Sequence, residues 1–142
     1  MHVLIVEDDP TTTVMLEGML RRQGWDHAAA PDLEAAWTVL RDAPVDIVLL
    51  DLSLPDGDGL DLLRRVRRSE AGGLPDPKVP VLVISSRSQL RTRLSALDLG
   101  ADGFVMKPMH LEEVAAVMRA LLRRRSAPVS YTHLTLPTIY SV

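Results

Sequence analysis

Short apolar runs, unbroken by polar residues, alternate along this chain with amphipathic stretches of helix length. That rhythm admits few folds. The runs are Val3–Val6, Ile47–Leu50, Val81–Ile84 and Phe104–Met106, with a weaker one at His27–Ala30 that is poor in β-branched residues. A strand with one wet face alternates polar and apolar residues. A run that is apolar throughout predicts a strand covered on both faces, as in a parallel sheet. Between the runs, Leu16, Met19 and Leu20 share one helical face. So do Leu60, Leu63 and Val66; Leu90, Leu94 and Leu97; and Leu111, Val114, Met118 and Leu121. The punctuation agrees: Gly24 follows the first helix, Asp32 is placed to cap the second, Ser88 the fourth and His110 the fifth. Five strand–helix units result, and they predict a doubly wound α/β domain. Residues 69–80, rich in Gly and Pro, read as one long loop.

The 142 residues suffice for one domain with a sizeable core, and a hydrophobic content of 46% with no membrane-length apolar run predicts a soluble protein. Cysteine is absent, which excludes disulfides and thiolate metal sites and suits the reducing cytoplasm. Met1 leads directly into a strand with no basic flank, which argues against a secretory signal. A net charge of −3 implies no nucleic-acid surface by itself. The composition breaks at Ser126: the remaining residues hold no acid, lysine or arginine but both tyrosines of the chain. We therefore expect a domain over residues 1–125 and a tail over 126–142, non-native from about Val129, with a following domain cut away.

In an open parallel sheet, chemistry collects at the carboxyl ends of the strands. Here the first strand ends on Glu7, Asp8 and Asp9, the third on Asp51, the fourth on Ser85 and Ser86, and the fifth on Lys107–Pro108. Clustered carboxylates resist ionisation unless a cation neutralises them. A few hard oxygen ligands suit Mg²⁺. A carboxylate can also act as a nucleophile and form an aspartyl phosphate. A metal, a hydroxyl and an ammonium would then answer the three phosphoryl oxygens. Asp56 and Asp58 read as turn residues about Gly57. The histidines His2, His27, His110 and His133 share no ligand spacing. Arg64, Arg65, Arg67, Arg68 and Arg123–Arg125 read as solvated helix faces.

The stretches "LIVEDDP", "DIVLLDLSLPDGDGLDLL", "PVLVISS" and "GADGFVMKP" together resemble the receiver domain of two-component response regulators, over roughly residues 1–125. The resemblance implies the flavodoxin-like strand order 2-1-3-4-5, for which a receiver protein is a standard example. It implies Asp51 as phosphoacceptor, and Glu7, Asp8, Asp51 and the Ser53 carbonyl as ligands to Mg²⁺. Ser85 and Lys107 would contact the phosphoryl group, Lys107–Pro108 would be cis, and Ser85 and Phe104 would form the switch. Arg87 falls where the family tunes the phosphoryl lifetime. The implied partner is a histidine kinase or phosphotransfer protein, and DNA is reached only through an output domain. The chain would be a signalling switch with self-catalysed phosphorylation and dephosphorylation, not an enzyme acting on a separate substrate. Arg93, Asp98, Asp102, Arg119 and Arg124 resemble part of the dimer face of winged-helix regulators, with Gly103 and Val117 departing from it. This predicts a weak, salt-sensitive homodimer on phosphorylation.

Two rivals compete. A flavodoxin-like FMN-binding domain would cradle phosphate in its first loop, but Pro10–Thr13 lacks glycine and follows three acids. An aspartyl-phosphate phosphatase would need a second acid where Ser53 stands.

Overall fold

A computed structural model describes residues 1–87 and 89–126. The proposed N-cap Ser88, His133 and the expected non-native segment from Val129 lie outside the described residues. The elements run β1 (His2–Val6), α1 (Pro10–Gln23), β2 (Asp26–Ala30), α2 (Leu33–Asp42), β3 (Ile47–Leu50), β4 (Ser53–Leu54), β5 (Gly57–Asp58), α3 (Gly59–Arg67), β6 (Val81–Ser85), α4 (Leu90–Asp98), β7 (Gly103–Met106) and α5 (Leu111–Ser126). The main sheet is parallel with order β2-β1-β3-β6-β7. Counted without the small β4–β5 hairpin, that is the expected 2-1-3-4-5.

The apolar runs bury alternate residues on opposite faces. Leu4, Val6, Val48, Leu50, Val81 and Val83 pack with Ala36, Leu40, Leu63 and Val66 of α2 and α3. Val3, Ile5, Ile47, Leu49, Leu82 and Ile84 pack with Leu16, Leu20, Val114 and Met118 of α1 and α5. Both faces are covered, so the strands carry no polar alternation. Strand β2 is one of the two edge strands and is only partly buried, which explains its weak signal.

Caps set the helix ends. Gly24 closes α1 at φ 77°, a conformation only glycine adopts freely. Asp32 caps α2, its carboxylate accepting the Ala35 N–H at 2.8 Å. The α5 end begins as expected, with the Val114 N–H on the His110 carbonyl at 3.1 Å.

Helix α4 departs from expectation. It starts at Leu90 with Gln89 in the N-cap position and no side-chain cap bond. Leu90, Leu94 and Leu97 do share one face, but that face is in solvent, at 59%, 49% and 45% exposure; Ala96 is the residue buried. The spacing identifies a stripe and not the side on which the sheet lies.

Arg67 corrects another reading. It is not on a solvated face. Its guanidinium donates to the carbonyls of Gly100, Pro77 and Val79 and to the Asp102 carboxylate, at 2.7–3.0 Å. It thus staples the end of α3 to the 69–80 loop and to the turn after α4. Arg125 adds a second staple, donating to Asp76 at 2.6 Å and to the Lys78 carbonyl at 3.2 Å. Arg65 lies over the Trp37 ring at 3.7 Å and ties α3 to α2.

Candidate functional site

Parallel register brings the strand ends to one rim. The Asp51 N–H donates to the Val6 carbonyl at 2.9 Å, so the end of β3 lies beside the end of β1. The Lys107 N–H donates to the Ser85 carbonyl at 2.9 Å, which seats Lys107 beside the end of β6. The Lys107–Pro108 bond is cis, as is Leu74–Pro75.

The three acids after β1 divide into three situations. Glu7 is 5% exposed, with Lys107 Nζ 2.7 Å from its Oε1. Asp8 is exposed. Asp9 is not part of the cluster. It caps α1, its Oδ2 accepting the Thr12 N–H at 3.2 Å and the Thr12 hydroxyl at 2.6 Å. Those bonds hold its carboxyl below the ordinary aspartate range.

Asp51 is 6% exposed and stands across from Glu7. Its Oδ1 accepts the Ser53 N–H at 3.3 Å and its Oδ2 lies 3.4 Å from Lys107 Nζ. Oxygens of Glu7, Asp8 and Asp51 all lie within 4.8 Å of one another. Burial pushes the Glu7 carboxyl up, against the pull of Lys107. For Lys107, burial acts downward, but the Glu7 bond and the Asp51 charge outweigh it and hold the ammonium above its ordinary value. The donor set is all oxygen, which fits a hard divalent cation and no softer metal.

Ser85 is fully buried, and its Oγ accepts the Arg87 N–H at 3.0 Å. Phe104 is half-buried on β7 and packs against the cluster beneath α2, α3 and α4. Ser53 lies on the β4–β5 hairpin, two residues past Asp51. No apolar run marks that hairpin in the sequence. Asp56 and Asp58 flank Gly57 as expected, but both also cap helices. Asp56 accepts the N–H groups of Leu33 and Glu34 at 2.9 and 3.1 Å, and Asp58 accepts that of Leu60 at 2.9 Å. Gly59 follows because a Cβ there would lie 2.5 Å from the Asp51 carbonyl oxygen.

Among the described residues, no histidine joins the acidic cluster at the rim. His27 pairs with Glu17 at 3.1 Å, and the backbone N–H of His2 bonds Asp46 at 2.7 Å. The residue that sequence reasoning left without a role is Arg87. Its guanidinium donates to Asp58 Oδ2 and to the Leu52 carbonyl, both at 3.2 Å.

A parallel five-stranded sheet in this order, with an acidic cleft and one lysine at its carboxyl edge, defines a doubly wound domain of the flavodoxin-like class. The family model of the response regulator receiver domain matches residues 3–119. The chain is 42% identical over 130 residues to the virulence transcriptional regulatory protein PhoP of Salmonella typhimurium, covering 92% of this chain and 55% of PhoP. It is 39% identical over 125 residues to the transcriptional regulatory protein TrcR of Mycobacterium tuberculosis, covering 88% of this chain and 46% of TrcR. Among solved structures, a two-component response regulator from Clostridium difficile superposes with a TM-score of 0.81 at 27% identity, covering 89% and 98% of the two chains. The receiver domain of the sensor histidine kinase PA1611 from Pseudomonas aeruginosa gives 0.71 at 27%, covering 87% and 94%. The chain belongs to the response regulator receiver domain family and is a signalling domain of the two-component kind. It spans about half the length of the curated relatives it matches. The FMN-binding alternative is not favoured.

Proposed function

We propose that Asp51 accepts a phosphoryl group from a phosphohistidine on a partner kinase or phosphotransfer protein. An Asp51 carboxylate oxygen attacks phosphorus, the new O–P bond forms as the P–N bond breaks, and the leaving imidazole nitrogen takes a proton from solvent. Water later attacks the same phosphorus, breaks the O–P bond, and releases phosphate and the free carboxylate. The observation that carries this reading is the buried Asp51 held between Glu7 and Lys107 at the strand ends.

Glu7, Asp8, Asp51 and the Ser53 carbonyl would hold Mg²⁺, which when bound supplies positive charge against phosphoryl oxygens. The solved PA1611 receiver domain carries a magnesium ion in its active site cleft, and its likeness supports the same choice here. Lys107 neutralises one phosphoryl oxygen and Ser85 donates its hydroxyl to another. Ser85 and Phe104 then carry the change to α4, β7 and α5. The described residues contain no helix long and apolar enough to cross a membrane. The reading places the domain in the cytoplasm, as the phosphoacceptor half of a transcriptional regulator.

The test is direct. Acetyl phosphate with Mg²⁺ should add one phosphoryl mass to the intact chain, and Asp51→Asn should abolish it. Equal labelling of the substituted protein would overturn the assignment.

A homodimer of the phosphorylated form belongs to the same reading, with a changed driving force. Asp102 does not stand free for a partner: its carboxylate binds Arg67 at 3.0 Å and the Val81 N–H at 2.8 Å. The exposed stripe Leu90, Leu94 and Leu97, with Met106 also exposed on β7, is the surface that gains from being covered.

A further inference from the structure

We propose that Arg87 and Asp58 form a latch holding the β6–α4 loop in its resting position, and that opening this latch carries phosphorylation of Asp51 to α4. The inference rests on the phosphoacceptor reading above and adds a positioning pair to it.

Three observations support it. First, Arg87 is anchored at both ends. Its backbone N–H is on Ser85 Oγ at 3.0 Å, and its guanidinium is on Asp58 Oδ2 and the Leu52 carbonyl. A hydroxyl has one proton to donate and two lone pairs, so Ser85 can donate to a phosphoryl oxygen while still accepting from Arg87. Any shift of Ser85 toward Asp51 therefore draws the Arg87 backbone with it and loads the guanidinium bonds. Those bonds are the longest in the chain of contacts, both at 3.2 Å.

Second, the far side of the latch cannot follow. The hairpin is pinned by Asp56 on the start of α2, by Asp58 Oδ1 on the start of α3, and by the Gly59 N–H on the Leu52 carbonyl at 2.8 Å. The acceptors of Arg87 thus sit on a rigid platform, and the strain falls on the bridge itself.

Third, α4 has little else to position its start, since Arg67 holds only its far end, at the Gly100 carbonyl. It buries Ala96, leaves its three leucines in solvent and has no side-chain cap at Gln89. An element with so few buried contacts opens easily, and one bridge at its entrance is a large share of what fixes it. The ion pair is half-exposed, so its loss should move the resting-to-activated balance by about five-fold and not by orders of magnitude.

The test uses the full chain and beryllofluoride with Mg²⁺ as the phosphoryl probe. Asp58→Asn is the main variant, because asparagine keeps the oxygen that caps α3 and replaces the Oδ2 that accepts from Arg87 with an uncharged NH2 that cannot accept. It should bind beryllofluoride about five-fold tighter than the parent, and the amides of residues 89–98 should exchange faster in the unliganded protein. Arg87→Gln should raise the same amide exchange, and the double variant should add nothing further. A parent that binds no beryllofluoride would overturn the phosphoacceptor reading and the latch with it. A parent that binds it, while Asp58→Asn matches it in affinity and in α4 exchange, would overturn the latch alone. So would additive effects in the double variant.

Discussion

Lys107→Met removes an ammonium while keeping much of its aliphatic stem, and the structure bounds what that costs. Lys107 Nζ lies 2.7 Å from Glu7 and 3.4 Å from Asp51, both buried. Without the cation, and without metal, two buried carboxylates face one another with Asp8 close by. The least costly relief is a proton on Glu7, whose carboxyl already sits above its ordinary value of 4.5. Holding that proton costs about 1.4 kcal/mol for each pH unit above the ordinary value. The ceiling near pH 7 is therefore roughly 3.4 kcal/mol, and about 2–3 kcal/mol is expected because solvent reaches Lys107 and Asp8. The sign follows from linkage. A carboxyl with a raised pKa contributes stability below its unfolded value and loses it as pH rises through the folded one. The penalty should thus shrink as pH falls toward the ordinary glutamate value and grow toward neutrality. The lost lysine does not confuse this. Its pKa is raised from 10.5, so its own contribution is complete at neutral pH and fades only in alkali. A divalent cation among the three acids supplies more charge than the ammonium did, so saturating Mg²⁺ should bring the penalty below about 1 kcal/mol. Denaturant titrations across pH, with and without Mg²⁺, measure all of this. A penalty that is flat between about pH 5 and pH 8, or that survives Mg²⁺, would refute the charge argument.

Arg67→Ala should cost about 3 kcal/mol, since it strips donors from three carbonyls and a carboxylate at once. That is a fall of roughly 10 °C in Tm for a domain of this size; a fall of only a degree or two would return Arg67 to the solvated face that its sequence suggests. Sedimentation of the beryllofluoride form should show a dimer that persists at high salt, because the exposed α4 stripe is apolar. Dissociation by salt would restore the ion pairs as its cause, and a monomer throughout would assign the stripe to another partner.

The sheet was legible because burial on both faces leaves a mark on each strand separately: Ile47–Leu50 can be read without knowing what covers it. The rim was legible for a related reason. Each member stands at a strand end, so chain position alone brings Glu7, Asp51, Ser85 and Lys107 together. The misses share the opposite property. Arg67 meets Gly100 across 33 residues, and Arg87 meets Leu52 across 35. An arginine on a helix face or in a loop looks the same whether its partner is water or a distant carbonyl. The α4 stripe failed differently. Periodicity reports that Leu90, Leu94 and Leu97 are neighbours, and it is silent on whether anything in the same chain covers them.

The run Glu7, Asp8 and Asp9 shows why like charges at a strand end are tolerable in this fold. Three adjacent carboxylates would repel if they shared one environment. They do not: Glu7 is buried, Asp8 beside it is exposed, and Asp9 has left the cluster as the chain turns from strand to helix. Glu7 still faces the sheet's edge, where Lys107 meets it. Asp8 faces solvent, beside the space a cation would fill. Asp9 has passed into the α1 cap, where Thr12 donors and the helix dipole favour its charge. The turn thus converts a repulsive sequence into one ion pair, one solvated carboxylate and one cap. The same geometry sets two buried carboxylates and Asp8 against a single ammonium, and the proposed Mg²⁺ site rests on that shortage of positive charge.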